Sequence, residues 1–422
     1  MSLRSTGIQF VAAACLLAFH VSRVAAAEVI EFYNTPLDNY FITADANEAS
    51  AIDSGSAGPG WSRTGDTFNS GGSTPVCRFY GSISPGPNSH FYTALASECA
   101  SLKAIQASTP ATQKRWNFES LDFFTTVAAN GTCPAETVPV FRAYNNGFAR
   151  GVDSNHRITT SEAGIQEVVA RGWISEGAVM CGASDATVGA IAQFWLDASG
   201  SWIVSQGGQL QSTVFRFDSD GNYLQGQPTG ATPGLERGKV AYDPLTGRFT
   251  GIVQQDTNGA SGLSNRSAAE QLQSLRLESG QLVLRDPGGA EALRLQRIPN
   301  VTSSIVGAWT LQPADGLRAQ TFVFLPDGRY LMIDPIGDEG TPSCGGPGVE
   351  FGTYTFVVAT GTLTLTNITV DTNGCAGLNE PPSPTVLFGP GDHSVSGIEI
   401  SPEGSTMTIN ASDGVFVLLR VS

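Results

Sequence analysis

Basic side chains are scarce in this sequence: Lys and Arg number 23 against 38 Asp and Glu, a formal charge of −15 over 422 residues. A nucleic-acid surface needs a basic face to neutralise phosphates, and an anionic membrane surface needs the same, so neither is an expected partner. The acids are scattered rather than gathered into a tail, which reads as solubility. Histidine is scarcer still, with 4 residues, and neither a G-x-S-x-G elbow nor an H-E-x-x-H pair occurs. No residue is therefore nominated as catalytic. No C-x-x-C spacing is present, so a zinc ribbon or a thioredoxin-like redox site has no support, and no metal or cofactor is expected. No apolar run reaches the length of a membrane-spanning helix.

What is present begins with an address. Arg4, an apolar run from Ile8 to Phe19, and the small residues Ala25 and Ala27 have the order and spacing of a secretory leader, with residues 1–27 as the signal peptide. Its removal would leave 21 basic and 38 acidic residues, a formal charge of −17, and a secreted, periplasmic or extracellular location. Seven cysteines become six once Cys15 leaves, an even number suited to an oxidising compartment. Local pairing is expected: Cys77 with Cys99, Cys133 with Cys181, and Cys344 with Cys375. The remaining length calls for two or three cores.

The first half is built of three units. "VIEFYNT" (29–35), "VCRFYGS" (76–82) and "VFRAYNN" (140–146) alternate apolar and polar residues as strands do and place Tyr33, Tyr80 and Tyr144 alike. A turn follows each, then a short cassette, "DNYFITA" (38–44), "NSHFYTA" (88–94) or "SNHRITT" (154–160), then a helical stretch carrying Glu48, Glu98 or Glu162. A tryptophan closes each unit, and Trp61, Trp116 and Trp173 are each followed seven residues later by Phe68, Phe123 and Met180. Units this small cannot bury their own rings, so residues 28–183 are expected to form one pseudo-threefold, β-rich domain with short helices, its Trp and Tyr side chains packed on a shared centre.

Strand, cassette and Gly-Trp closure together resemble a repeat domain of unknown function found in secreted bacterial proteins, often appended to hydrolases. The resemblance runs through all three units, with Arg157 and Ile158 departing from the cassette's usual aromatic pair. It implies an accessory, extracellular role.

The second half contains a duplication. "GSWIVSQGGQLQSTVFRFDSDGNYL" (200–224) lines up with "GAWTLQPADGLRAQTFVFLPDGRYL" (307–331), matching Trp202 with Trp309, Phe215 with Phe322 and Tyr223 with Tyr330. Further on, "DTNGASGL" (256–263) matches "DTNGCAGL" (371–378). In each copy F-x-F, Asp-Gly and Tyr form a hairpin signature, because Asp-Gly accepts the positive φ angles of tight turns. Two tandem antiparallel meander or barrel domains are expected, 188–299 and 305–422, linked through Asn300 to Ser304, with one wall of each facing a core. "RSAAEQLQSL" is the one helix-like stretch there. The G-x-W opening and the meander resemble lipocalin-type barrels in shape. The chain as a whole reads as mainly β.

Recurrence weighs on every candidate site. Trp61, Trp116, Trp173, Tyr33, Tyr80 and Tyr144 repeat in register, as interior positions do, and are expected to be buried. Asp256 with Asn258, and Asp371 with Asn373, read as turns rather than calcium loops. The less regular cassette residues Tyr40, His90, Tyr92 and His156 remain as binding candidates on an exposed rim. The function expected is a non-catalytic binding or surface-interaction protein recognising a glycan or other cell-surface material. A carrier of a small apolar ligand inside the barrels, and a hydrolase without a recognisable motif, are the alternatives.

Overall fold

The computed structural model describes residues 26–81, 83–84, 86–311, 316–337, 346–373, 393–395, 397–411 and 414–421. The leader up to residue 25, Cys344 and Cys375 lie outside the described residues. The protein is mainly β, and among the described residues its strands form three antiparallel sheets of nine, eight and nine strands.

The nine-stranded first sheet repeats one three-stranded motif with identical register. Tyr33 pairs with Tyr40 between Glu28–Asn34 and Asn39–Thr43, Tyr80 with His90 between Thr74–Tyr80 and His90–Thr93, and Tyr144 with His156 between Thr137–Tyr144 and His156–Thr159. Each unit's last strand, Trp61–Asn69, Asn117–Val127 or Ile174–Ala183, pairs back on the first. The cassette threonine has one job in all three units. Thr43, Thr93 and Thr159 accept from the backbone N–H two residues on, at 3.0, 3.0 and 3.1 Å, and so turn the chain into helices Ala46–Asp53, Ala96–Ser108 and Glu162–Ala170.

The shared centre is not made of the closing Trp and first-strand Tyr side chains. It holds matched trios, Val29, Val76 and Val140, then Ile42, Tyr92 and Ile158, then Phe68, Phe123 and Met180. Valine suits the crowded middle, whereas rings with a polar tip are better placed where one end meets water. Tyr33, Tyr80, Tyr144, Trp61 and Trp116 are accordingly only half-buried; of these six, Trp173 alone is buried. Disulfides join Cys77 to Cys99 and Cys133 to Cys181, as the spacing predicts.

Helix Asp185–Ala198 follows, capped by Ser184, whose Oγ accepts from Thr187 N at 3.2 Å. Its Ile191, Trp195 and Ala198 enter the core of the second sheet. The second and third sheets are curled half-barrels. In the second, the edge strands Phe249–Asp256 and Ser274–Glu278 approach, and Leu275 N donates to Gly247 O at 2.8 Å; in the third, Ile398 N donates to Gly361 O at 3.0 Å. The tryptophans sit in equivalent places: Trp202 Nε1 donates to Ala198 O and Trp309 Nε1 to Ile305 O, both at 2.8 Å, under Arg297 and Arg420. The stretch 266–275 forms a single 3₁₀ turn at Glu270–Leu272 rather than a helix, because the chain enters a strand at Ser274.

The half-barrels pack back to back. Trp202, Phe215 and Tyr223 face the interior of their own sheet, while their neighbours Ile203, Val214 and Leu224 face the other copy and meet Ala308, Val323, Leu331 and Ile333. Both walls are therefore buried there, not one.

Candidate functional site

The cyclic arrangement creates three equivalent junctions, each pairing a cassette residue with the next unit. At the first, the Phe41 ring lies 4.7 Å from that of His90 and 6.2 Å from that of Trp61, with the Arg78 guanidinium 5.9 Å away. At the second, Phe91 meets His156 at 5.0 Å and Trp116 at 5.6 Å, with Arg142 at 4.7 Å. At the third, Arg157 takes the phenylalanine's place and lies 4.6 Å from the Tyr40 ring.

The first junction opens into a groove of about 580 Å³. Tyr40, Phe41, Trp61, Tyr80 and His90 contribute its rings, and Glu48 and Glu119 its carboxylates. The end of the first unit's 8-residue helix and the turn after it line the groove with the small residues Ala51, Ser56 and Ala57, beside Leu37 and Ile52. The other junctions are occupied from within. Tyr144 stacks on His156, and its hydroxyl accepts from Phe148 N at 2.8 Å in the turn Gly147–Arg150. At the third, Arg171 donates to Tyr40 Oη at 3.2 Å and to Asp38 at 2.9 Å.

Behind the groove, Arg78 is shared by three carboxylates: Nη1 lies 2.8 Å from Glu48 and 3.0 Å from Asp122, and Nε lies 3.0 Å from Glu119. His90 Nε2 is 3.3 Å from the same Glu119 oxygen. The hydrogen bond from His90, then the charges of His90 and Arg78, hold Glu119 below its ordinary value despite partial burial. Burial pushes Asp122 up to about 6, and Glu48, Asp45 and Glu119 add to this against the pull of Arg78.

The four expected rim residues separate. His90 lies in the groove, half-buried, and Tyr40 borders it while its other contacts belong to the third junction. Tyr92 does not reach the rim: it is 2% exposed and donates its hydroxyl to Ile42 O in the shared core. Nor is His156 a free contact, since Nδ1 is buried among the second junction's rings and, among the described residues, has no partner. Part of its surface stays accessible, but desolvation first and Arg142 second hold the imidazole well below its ordinary value. Trp61 and Tyr80, expected in the core, line the groove instead. The readable signal was the run of small residues 54–60 between helix and tryptophan, which offers nothing large enough to fill the junction.

Residues 7–106 and 28–183 match one family of proteins. It is DUF5648, a domain of unknown function. The longer match, residues 28–183, covers the three-unit sheet and ends where the helix to the half-barrels begins. No curated protein and no solved structure matches the chain.

In the second half the first turn motif is engaged internally. Asp256 Oδ1 accepts from Asn258 N and Gly259 N at 2.9 and 3.0 Å, which is the turn expected of D-T-N-G. The interior of the first half-barrel retains a cavity of about 30 Å³ lined by Phe215, Phe249 and leucines. That is room on the scale of a single water. No helix among the described residues is long and apolar enough to cross a membrane.

Proposed function

We propose that this is an exported, non-catalytic binding protein whose DUF5648 region recognises a glycan or other cell-surface material through the groove between its first two units. The observation that carries the reading is the groove itself: about 580 Å³, walled by Phe41, Trp61, Tyr80 and His90 at one junction. Its size falls in the range of small-ligand sites, and ring faces flanked by a few polar groups suit the apolar faces and hydroxyls of sugars. Two disulfides are compatible with an extracellular or periplasmic setting. The packed interior of the first half-barrel favours this reading over an apolar carrier. The paired half-barrels then serve as a rigid support behind the binding domain.

Glycan arrays and attachment to cell-surface preparations test the proposal. The wild-type protein should be retained on a subset of glycans, and Trp61→Ala should abolish retention while the protein stays folded. Retention unaffected by Trp61→Ala, or none on any glycan or cell surface, would refute it.

A further inference from the structure

The groove carries an excess of negative charge. The residues lining it include the carboxylates of Glu48 and Glu119 and no Lys or Arg. The nearest guanidinium, Arg78, is divided among Glu48, Glu119 and Asp122, three carboxylates for one permanent positive charge, and His90 beside Glu119 adds a second only when protonated. Each lining carboxylate gives Oε2 to Arg78, and among the described residues neither Oε1 is engaged. Beside these free oxygens stand the electron-rich faces of Phe41, Trp61 and Tyr80. Rings together with uncompensated carboxylates attract a cation: the ring quadrupole and the carboxylate act on it in the same sense. A neutral sugar gains nothing from the excess charge, and a uronic or sialic acid would be repelled by it.

Taking the glycan reading above as its basis, we infer that the groove selects an amine-bearing saccharide, with an ammonium group seated between Glu48 and Glu119 and the sugar face laid against Trp61. An amino sugar with free amines is the ligand class, and a β-linked glucosamine trimer is its simplest probe. Acetylation removes the charge and adds bulk at the nitrogen, so the N-acetylated trimer differs in the one property that matters.

Isothermal titration of the full chain with three trimers, glucosamine, N-acetylglucosamine and glucose, decides it. The glucosamine trimer should bind at least about fivefold tighter than either of the others, as expected for one partly exposed charge contact with a ring face. Added salt should weaken that binding and leave any residual glucose-trimer binding unchanged. Glu119→Gln and Glu48→Gln should each lower affinity for the glucosamine trimer by roughly fivefold. The comparison among trimers needs no variant, so it stands even if a Gln substitution disturbs folding through Arg78. Equal binding of all three, or preference for the acetylated trimer, overturns the amine selectivity while leaving the glycan reading in place. Binding of none of the three overturns it too, and the glycan array then decides the broader reading on its own.

Discussion

Arg157 and Glu31 form a buried ion pair, Nε to Oε1 3.1 Å and Nη2 to Oε2 3.1 Å, where the third unit meets the first. At the other two junctions the position of Arg157 holds Phe41 or Phe91, and the position of Glu31 holds Arg78 or Arg142. The cation has changed sides: an ion pair takes the place of the phenylalanine–guanidinium contact, and the Arg157 guanidinium lies over the Tyr40 ring instead. Arg157 is also held by Gly164 O, Asp66 and Glu167. Because those partners remain, Glu31→Gln should cost about 2 kcal/mol in urea denaturation, less than the ~3 to 5 typical of breaking a buried pair. The double change Glu31→Arg with Arg157→Phe rebuilds the arrangement of the other junctions and should recover most of the loss. A double variant no better than Glu31→Gln would show that the junctions are not interchangeable.

The groove and the shared core should respond separately. Trp61→Ala and His90→Ala remove half-buried rings and should abolish or weaken attachment with little change in melting temperature. Tyr92→Phe leaves Ile42 O without its donor and should cost about 1 kcal/mol, whereas Tyr92→Ala opens the core and should cost about 3 to 5 kcal/mol. Neither Tyr92 variant should lower affinity so long as it stays folded.

The back-to-back contact of the half-barrels depends on one glycine. A Cβ at Gly226 would lie 2.5 Å from the Cδ1 and Cγ1 of Ile333, which is fully buried in the other copy. Gly226→Val should destabilise the C-terminal half by about 1 to 3 kcal/mol, seen as a lower denaturant midpoint. Adding Ile333→Ala should relieve part of that.

Glu350 gives the C-terminal half a dependence on pH. Burial pushes its carboxyl up to about 8, with Asp371 adding to the effect and the hydrogen bond from Tyr330 Oη, 2.7 Å, opposing it. The folded state thus holds this proton more tightly than the unfolded chain, where the ordinary value is 4.5. Its contribution is full below about pH 4.5 and is lost as pH rises through about 8. Glu350→Gln should flatten the fall in stability measured by denaturation between pH 5 and 8, and an unchanged profile would locate the dependence elsewhere.

Opening the disulfides tests the first domain. Cys77–Cys99 and Cys133–Cys181 close loops of 22 and 48 residues. In the chain-entropy model their loss should cost ~3 and ~4 kcal/mol respectively. Denaturation of Cys99→Ser and Cys181→Ser variants measures each.

Much of this protein was determined by its sequence alone. Repetition of strand, cassette and tryptophan was enough to define three units, because like sequences adopt like local structure: Tyr33, Tyr80 and Tyr144 duly pair with Tyr40, His90 and His156 in one register. The matched positions of Trp202 and Trp309 followed from the same logic, and the Cys77–Cys99 and Cys133–Cys181 disulfides from pairing within a unit. Helix Asp185–Ala198 was not anticipated: Ser184 as cap and the helical spacing of Ile191, Trp195 and Ala198 are its signals, but its short apolar face is masked by the strand-rich sequence around it. How equivalent residues come to differ is set by packing between units. Trp61 and Trp173 occupy the same place in their units, yet one lines an open groove and the other is buried, because burial depends on what a neighbouring unit brings to the junction. The 8-residue helix and small residues beside Trp61 leave space; Arg171 and Tyr40 close it around Trp173. In the same way, strand alternation marks two faces on Trp202 and Ile203, but only the meeting of two half-barrels buries both.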